Sequence, residues 1–228
     1  MAATGSAVLI VDNSEHRRAG SWFAECLDGS AEVHIAMRED VNKLGARWGA
    51  VILTGSERSI FEDADWLLDE LVFARSVLDG GIPLLGVCFG HQLLFRALYG
   101  KDVLRRRELP EVGWPPVELS VDPAFEGVER TIRPYNFHFD EVAEIPPGWE
   151  AVASSEGCRL HGLRHGELPA LGLQFHPEVS VPEGTAAITR GARLLAACDL
   201  DAAAIAAESG RGRRYPEIIR NFAFRFDR

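Results

Sequence analysis

The sequence predicts an α/β fold, an open and mostly parallel sheet with helices on both faces and antiparallel strands added to it. Three observations carry this expectation. Short apolar runs such as Ala7–Val11, Ala50–Leu53 and Pro83–Val87 have the composition of strands buried on both faces. They alternate with segments of helical periodicity, the arrangement that parallel strands and their crossovers require. Beyond Gly100 the pattern changes to short extended segments separated by proline and glycine, which suits antiparallel strands.

In chain order, Ala7–Val11 is the first strand. Asp12, Asn13 and Ser14 supply turn and N-cap chemistry, so a helix is expected over Glu15–Leu27. Strands are expected at Glu32–Ala36 and Ala50–Leu53. The polar loop Thr54–Ile60 leads into a helix from about Trp66 to Leu78. Pro83–Val87 and Phe89–Tyr99 form the next strand and helix, the latter with Leu93, Leu94, Ala97 and Leu98 at helical spacing. Extended candidates follow at Val103–Leu104, Val112–Leu119, Thr131–Phe139, Val152–Ser154 and Arg159–Leu163. Leu171–Phe175 is a further buried strand, ended by Pro177, which cannot continue a central one. Helices are expected over Glu183–Ala197, Asp201–Glu208 and Pro216 to about Phe226. The alternation of Phe222, Phe224 and Phe226 points to an extended end or to exposed aromatics.

A chain of 228 residues with 46% hydrophobic residues suits a single domain, 1–228, with its core over 7–180 and a helical C-terminal part over 181–228. The net charge of −10 argues against nucleic acid as a partner, because phosphate binding needs a basic surface. Arg105, Arg106 and Arg107 read as a solvated face. No apolar run reaches the roughly 18 residues of a membrane span, and Met1–Ser6 has no signal-peptide character. A cytoplasmic protein without membrane contact is the expectation. Cys26, Cys88, Cys158 and Cys198 show no CxxC pair and no metal-ligand spacing, so they read as a reduced set with no bound metal.

Cys88 falls on the turn between a strand and a helix. A thiol there meets the positive end of the helix dipole and free backbone N–H groups, both of which favour the nucleophilic thiolate. Gly86 and Gly90, two residues to either side, fit a backbone bent too sharply for a Cβ. This is the logic of a nucleophile elbow built with cysteine. His176 and Glu178 project from the end of another strand on one side of an extended backbone. A carboxylate so placed can orient an imidazole whose other nitrogen faces a thiol. Gly55, beyond the carboxyl end of a neighbouring strand, could present its N–H to a substrate oxygen.

The segments GVCFGHQ (Gly86–Gln92), HFDEV (His138–Val142) and GLQFHPEVS (Gly172–Ser180) together resemble the class I, triad-type glutamine amidotransferases. Within that family the chain is similar to stand-alone proteins like the glutaminase part of guanosine monophosphate synthetase, and to γ-glutamyl peptidases. The resemblance implies a flavodoxin-like fold and a triad of Cys88, His176 and Glu178. It implies an oxyanion hole from the N–H groups of Gly55 and Phe89, and a substrate pocket at Gln92, His138, Phe139 and Asp140.

Three functions stay open on these residues alone. One is a glutaminase that forms a γ-glutamyl thioester on Cys88 and supplies ammonia to a separate acceptor, a synthetase or other amidating enzyme. No phosphate-binding loop is visible within the chain. The second is a free-standing γ-glutamyl peptidase or hydrolase with the same triad, and the third a non-catalytic binding or regulatory module. None of the proposed chemistry requires a cofactor.

Overall fold

The computed structural model describes residues 7–45 and 48–225. Met1–Ser6, read above for a leader, and Phe226 lie outside the described residues.

The chain runs β1 (Val8–Asp12), α1 (Ala19–Cys26), β2 (Ala31–Ile35), β3 (Ala50–Leu53), α2 (Asp65–Asp79), β4 (Leu84–Val87) and α3 (Phe89–Tyr99). There follow β5 (Leu104–Gly113), β6 (Val117–Leu119), β7 (Thr131–Ile132), β8 (Asn136–Val142), β9 (Trp149–Ser154), β10 (Gly162–His165) and β11 (Ala170–Leu173). The chain closes with α4 (Val181–Arg190), α5 (Ala192–Ala196), α6 (Ala202–Ala207) and α7 (Pro216–Arg225). Nine strands form one sheet in the order β2-β1-β3-β4-β11-β10-β9-β6-β7. From β2 to β11 neighbouring strands are parallel, and from β11 to β7 they are antiparallel. β5 and β8 pair separately as an antiparallel ribbon.

Strand alternation divides the core between the two faces of the sheet. Leu9, Val11, Val51, Leu53 and Leu84 meet α2 and α3 through Phe73, Val77, Leu93 and Phe95. Val8, Ile10, Ile52 and Leu85 meet Phe23 of α1 and Ile218, Ile219 and Phe222 of α7. This sandwich is the expected α/β architecture. Its parallel strands all end on one edge, where β3, β4 and β11 deliver Gly55, Cys88 and His176.

Several boundaries differ from the sequence reading. Helix α1 begins at Ala19 rather than Glu15, because Asp12 and Ser14 capture the intervening backbone. The Asp12 carboxylate accepts from the N–H groups of Ser14 and Gly20, and Ser14 Oγ accepts from those of Arg18 and Ala19. Such local side-chain bonds compete directly with helix. The extended stretch expected over Val112–Leu119 is broken by Trp114-Pro115-Pro116 into the end of β5 and the start of β6. The helix expected over Glu183–Ala197 is two helices, α4 and α5, separated at Gly191. At the C-terminus, α7 continues as helix through Phe224, so no extended segment begins there. Phe222 is buried while Phe224 is exposed. Arg105, Arg106 and Arg107 do not form a free solvated face: on β5 they pair across the ribbon with Glu141, Asp140 and Glu141 respectively. No helix among the described residues is long and apolar enough to cross a membrane.

Candidate active site

Cys88 stands at the N-cap of α3 with φ +53°, a left-handed conformation that non-glycine residues seldom adopt. The fold forces it on the chain from both sides. A Cβ at Gly86 would lie 2.3 Å from Gly90 O, and one at Gly90 would lie 2.1 Å from Leu53 O. The Cys88 N–H is tied to Leu173 O at 2.7 Å and the Gly90 N–H to Thr54 O at 3.0 Å. The turn is thereby anchored to β11 and to the end of β3. The thiol faces a cleft although the residue is only 5% exposed.

His176 follows β11, and its N–H donates to Tyr135 O at 2.9 Å. Its Nδ1 lies 2.7 Å from Oε1 of Glu178, which is 1% exposed. A carboxylate only accepts, so Nδ1 carries the proton and Nε2 is left for Cys88. Burial opposes charge on this imidazole. The Glu178 carboxylate and the bonded Cys88 sulfur outweigh burial and raise His176 well above its ordinary value. A cationic imidazole is therefore favoured beside the Cys88 sulfur, an arrangement suited to nucleophilic attack.

Gly55 touches this pair directly. A Cβ there would lie 2.7 Å from His176 Cε1 and 3.6 Å from Cys88 Cβ, so any side chain at 55 would collide with the imidazole. Its carbonyl accepts from Thr54 Oγ1 at 3.0 Å, and Thr54 Oγ1 accepts from the Asn13 N–H. Phe89 is the first residue of α3.

The cleft holds about 530 Å³ and is lined by Gly55, Cys88, Phe89, Gln92, Tyr135, Phe137, His138, Phe139, Asp140, His176 and Glu178. All the residues singled out in the sequence thus come together, though not all in the expected way. Gln92 is buried, and its Nε2 donates to Asp140 O at 2.5 Å and to Gln174 Oε1 at 3.2 Å. His138 turns its Nε2 to Glu111 Oε2 at 3.1 Å. Asp140 accepts from Arg106 at 2.7 Å and from Ser59 Oγ at 2.6 Å. Sequence reasoning missed Ser59 and Arg106, whose guanidinium also lies 4.9 Å over the Phe139 ring. The run of three arginines at the start of β5 was the available signal for Arg106. Trp22, Ala187 and Leu194, which also line the cleft, carried none.

The class-I glutamine amidotransferase model matches residues 60–193. The chain belongs to this family. Among its relatives, a glutamine-hydrolysing GMP synthase subunit from Pyrococcus abyssi is 42% identical over 103 residues, 45% of this chain and 54% of that one. Its counterpart from Methanopyrus kandleri is 36% identical over 147 residues, 64% of this chain and 73% of its own. The chain thus spans about half the length of the first of these relatives. A crystal structure of a glutamine amidotransferase from Thermotoga maritima superposes with a TM-score of 0.80 at 23% identity, covering 97% of this chain and 98% of that one. At that identity the likeness establishes the flavodoxin-like fold of the class I amidotransferases.

Proposed function

We propose that this chain hydrolyses the side-chain amide of glutamine through a γ-glutamyl thioester on Cys88 and delivers the ammonia to a separate acceptor enzyme. The observation that carries the reading is the strained Cys88 elbow facing an imidazole already oriented and charged by a buried carboxylate. In the sequence of events proposed, the Cys88 thiolate attacks the amide carbon. His176 gives its proton to the departing ammonia, then takes one from the water that resolves the thioester to glutamate. Glu178 holds the imidazole throughout. The N–H groups of Gly55 and Phe89 would carry the developing oxyanion, a contact whose loss typically lowers the rate about a hundred- to a thousandfold. Gln92 and the 138–140 strand would form the pocket wall around the substrate. Family membership and the subunit character of the GMP synthase relatives support a partner that accepts the ammonia.

The size of the cleft favours one second reading, a free-standing hydrolase of larger γ-glutamyl compounds. The cavity, about 530 Å³, is lined also by Trp22, Ala187 and Leu194, and would hold more than a glutamine side chain. The purified chain, without a partner, should be given glutamine and, in parallel, γ-glutamyl peptides and amines, with Cys88→Ala as control. Glutamate release from glutamine, lost in the control, is the expected result. Preferential release from the larger compounds would replace the ammonia-supply reading with the hydrolase. If every substrate is inert, failure of a glutamine-like electrophile to label Cys88 would reject both.

A further inference from the structure

Behind the pocket wall, and sharing only His138 with it, lies a second cluster whose other members the proposed chemistry does not use. Glu111 of β5, His138 of β8, Cys158 in the turn after β9 and His161 just before β10 are all buried, and one donor atom from each lies within 4.8 Å of every other. The side chains of His138 and His161 are 1% and 0% exposed. Their Nε2 atoms converge on the same oxygen, Glu111 Oε2, at 3.1 and 3.0 Å. His161 nevertheless misses hydrogen-bond geometry: both of its ring nitrogens, and Nδ1 of His138, have no hydrogen-bond partner among the described residues. Leaving such groups unpaired in a protein interior is costly.

We propose that Glu111, His138, Cys158 and His161 bind one divalent transition-metal ion, with Zn²⁺ the ion that suits them best. A thiolate, two imidazoles and a carboxylate make a donor set of intermediate softness, and four protein donors match a closed tetrahedral site. Tetrahedral zinc places its donors about 3.3–3.8 Å apart, so the side chains need close by only about 1 Å. The surroundings already hold the donors in place. Glu111 Oε1 accepts from Ser155 Oγ at 2.7 Å, and Ser155 Oγ accepts from the Cys158 N–H at 2.9 Å. The His161 carbonyl accepts from the Gln174 N–H at 2.8 Å. Outer partners of this kind orient metal ligands.

The position of the cluster assigns the ion a job. The β5–β8 ribbon is not hydrogen-bonded into the main sheet, yet it carries Phe137, Phe139 and Asp140 to the cleft. Glu111 and His138 belong to the ribbon, whereas Cys158 and His161 belong to the connection between β9 and β10 of the main sheet. A metal shared by all four would clamp the ribbon to the sheet from behind the pocket. It would be a structural ion that positions the wall, with no part in the covalent chemistry.

The test is a Co²⁺ titration of metal-free Cys88→Ala protein, in which the candidate nucleophile cannot supply a thiolate. Saturation at one Co²⁺ per chain is expected, with visible bands of tetrahedral cobalt, a near-ultraviolet thiolate-to-cobalt band, and displacement by Zn²⁺. Adding Cys158→Ala should abolish the near-ultraviolet band. Adding His161→Gln should weaken cobalt binding by at least about tenfold. Absence of saturable uptake, or a spectrum unchanged by Cys158→Ala in protein shown to be folded by circular dichroism, would overturn the proposal. Should Cys158→Ala not fold, undiminished binding in His161→Gln would do the same.

Discussion

Replacing Glu178 with Gln removes a buried charge and almost no volume, which isolates the electrostatic link in the triad. The carboxylate lies 2.7 Å from His176 Nδ1 and is 1% exposed. At an effective dielectric of about 20, opposite unit charges at that separation attract by about 6 kcal/mol before solvation is counted. Desolvation of the pair offsets part of this, and the remainder favours the imidazolium. Losing even half of the attraction would correspond to about a hundredfold in rate. Burial is then opposed by the Cys88 sulfur without the carboxylate, and His176 falls below its wild-type value. The amide can also donate to Nδ1, which turns the wrong tautomer toward Cys88.

The consequence for stability has a definite sign. Because His176 is raised on folding, its pairing stabilises the wild type fully below the unfolded value near 6.5 and is lost as pH rises through the raised folded value. Glu178→Gln should flatten that dependence. The assay is glutamate release by wild type and variant, with the pH profile of Cys88 alkylation by iodoacetamide as a measure that needs no substrate. A variant within about threefold of wild type in both would refute the reasoning, since less than about 1 kcal/mol would then separate them.

Two further outcomes follow from single contacts. Gly90→Ala drives a Cβ to 2.1 Å from Leu53 O, backbone against backbone, so the elbow must move. A cost of about 1–3 kcal/mol in urea unfolding is expected, together with loss of Cys88 alkylation selectivity; a normal elbow reactivity would contradict the packing argument. Glu70 is fully buried on α2 with Asn13 beside it, and burial pushes its carboxyl up to about 8. The folded chain therefore binds more protons than the unfolded one between about pH 4.5 and 8, and stability falls as pH rises through that window. Glu70→Gln should be more stable than wild type at about pH 8 by on the order of 3 kcal/mol and lose that advantage near pH 4.5. Equal differences at both pH values in urea melts would show that Glu70 stays ionised.

Much of the fold was legible because its signals are short-range. The strand Ala50–Leu53 and the helix Phe89–Tyr99 have the expected boundaries, since a continuous apolar run and a 3.6-residue period are each set by neighbours in sequence. The bend at Cys88 was legible for the same reason: two glycines within two residues of a cysteine describe a turn that tolerates no Cβ. The start of α1 was not, because helix periodicity alone does not reveal that Asp12 and Ser14 would take the N–H groups of residues 18–20 for themselves.

The sequence by itself determined the alternation of strands and helices and the elbow, and it placed His176 and Glu178 just beyond a strand, which ends at Leu173 rather than at Phe175. Only the tertiary structure decided that Arg106 and Ser59 close on Asp140, that Gly55 packs against His176, and that Glu111, His138, Cys158 and His161 share one buried space. Apart from Cys158 and His161, those partners are far apart along the chain. They meet because the ribbon pairs Glu111 with His138 across its two strands, and because the sheet order brings the β9–β10 connection beside it. Strand register and crossover, which no local pattern encodes, set those distances.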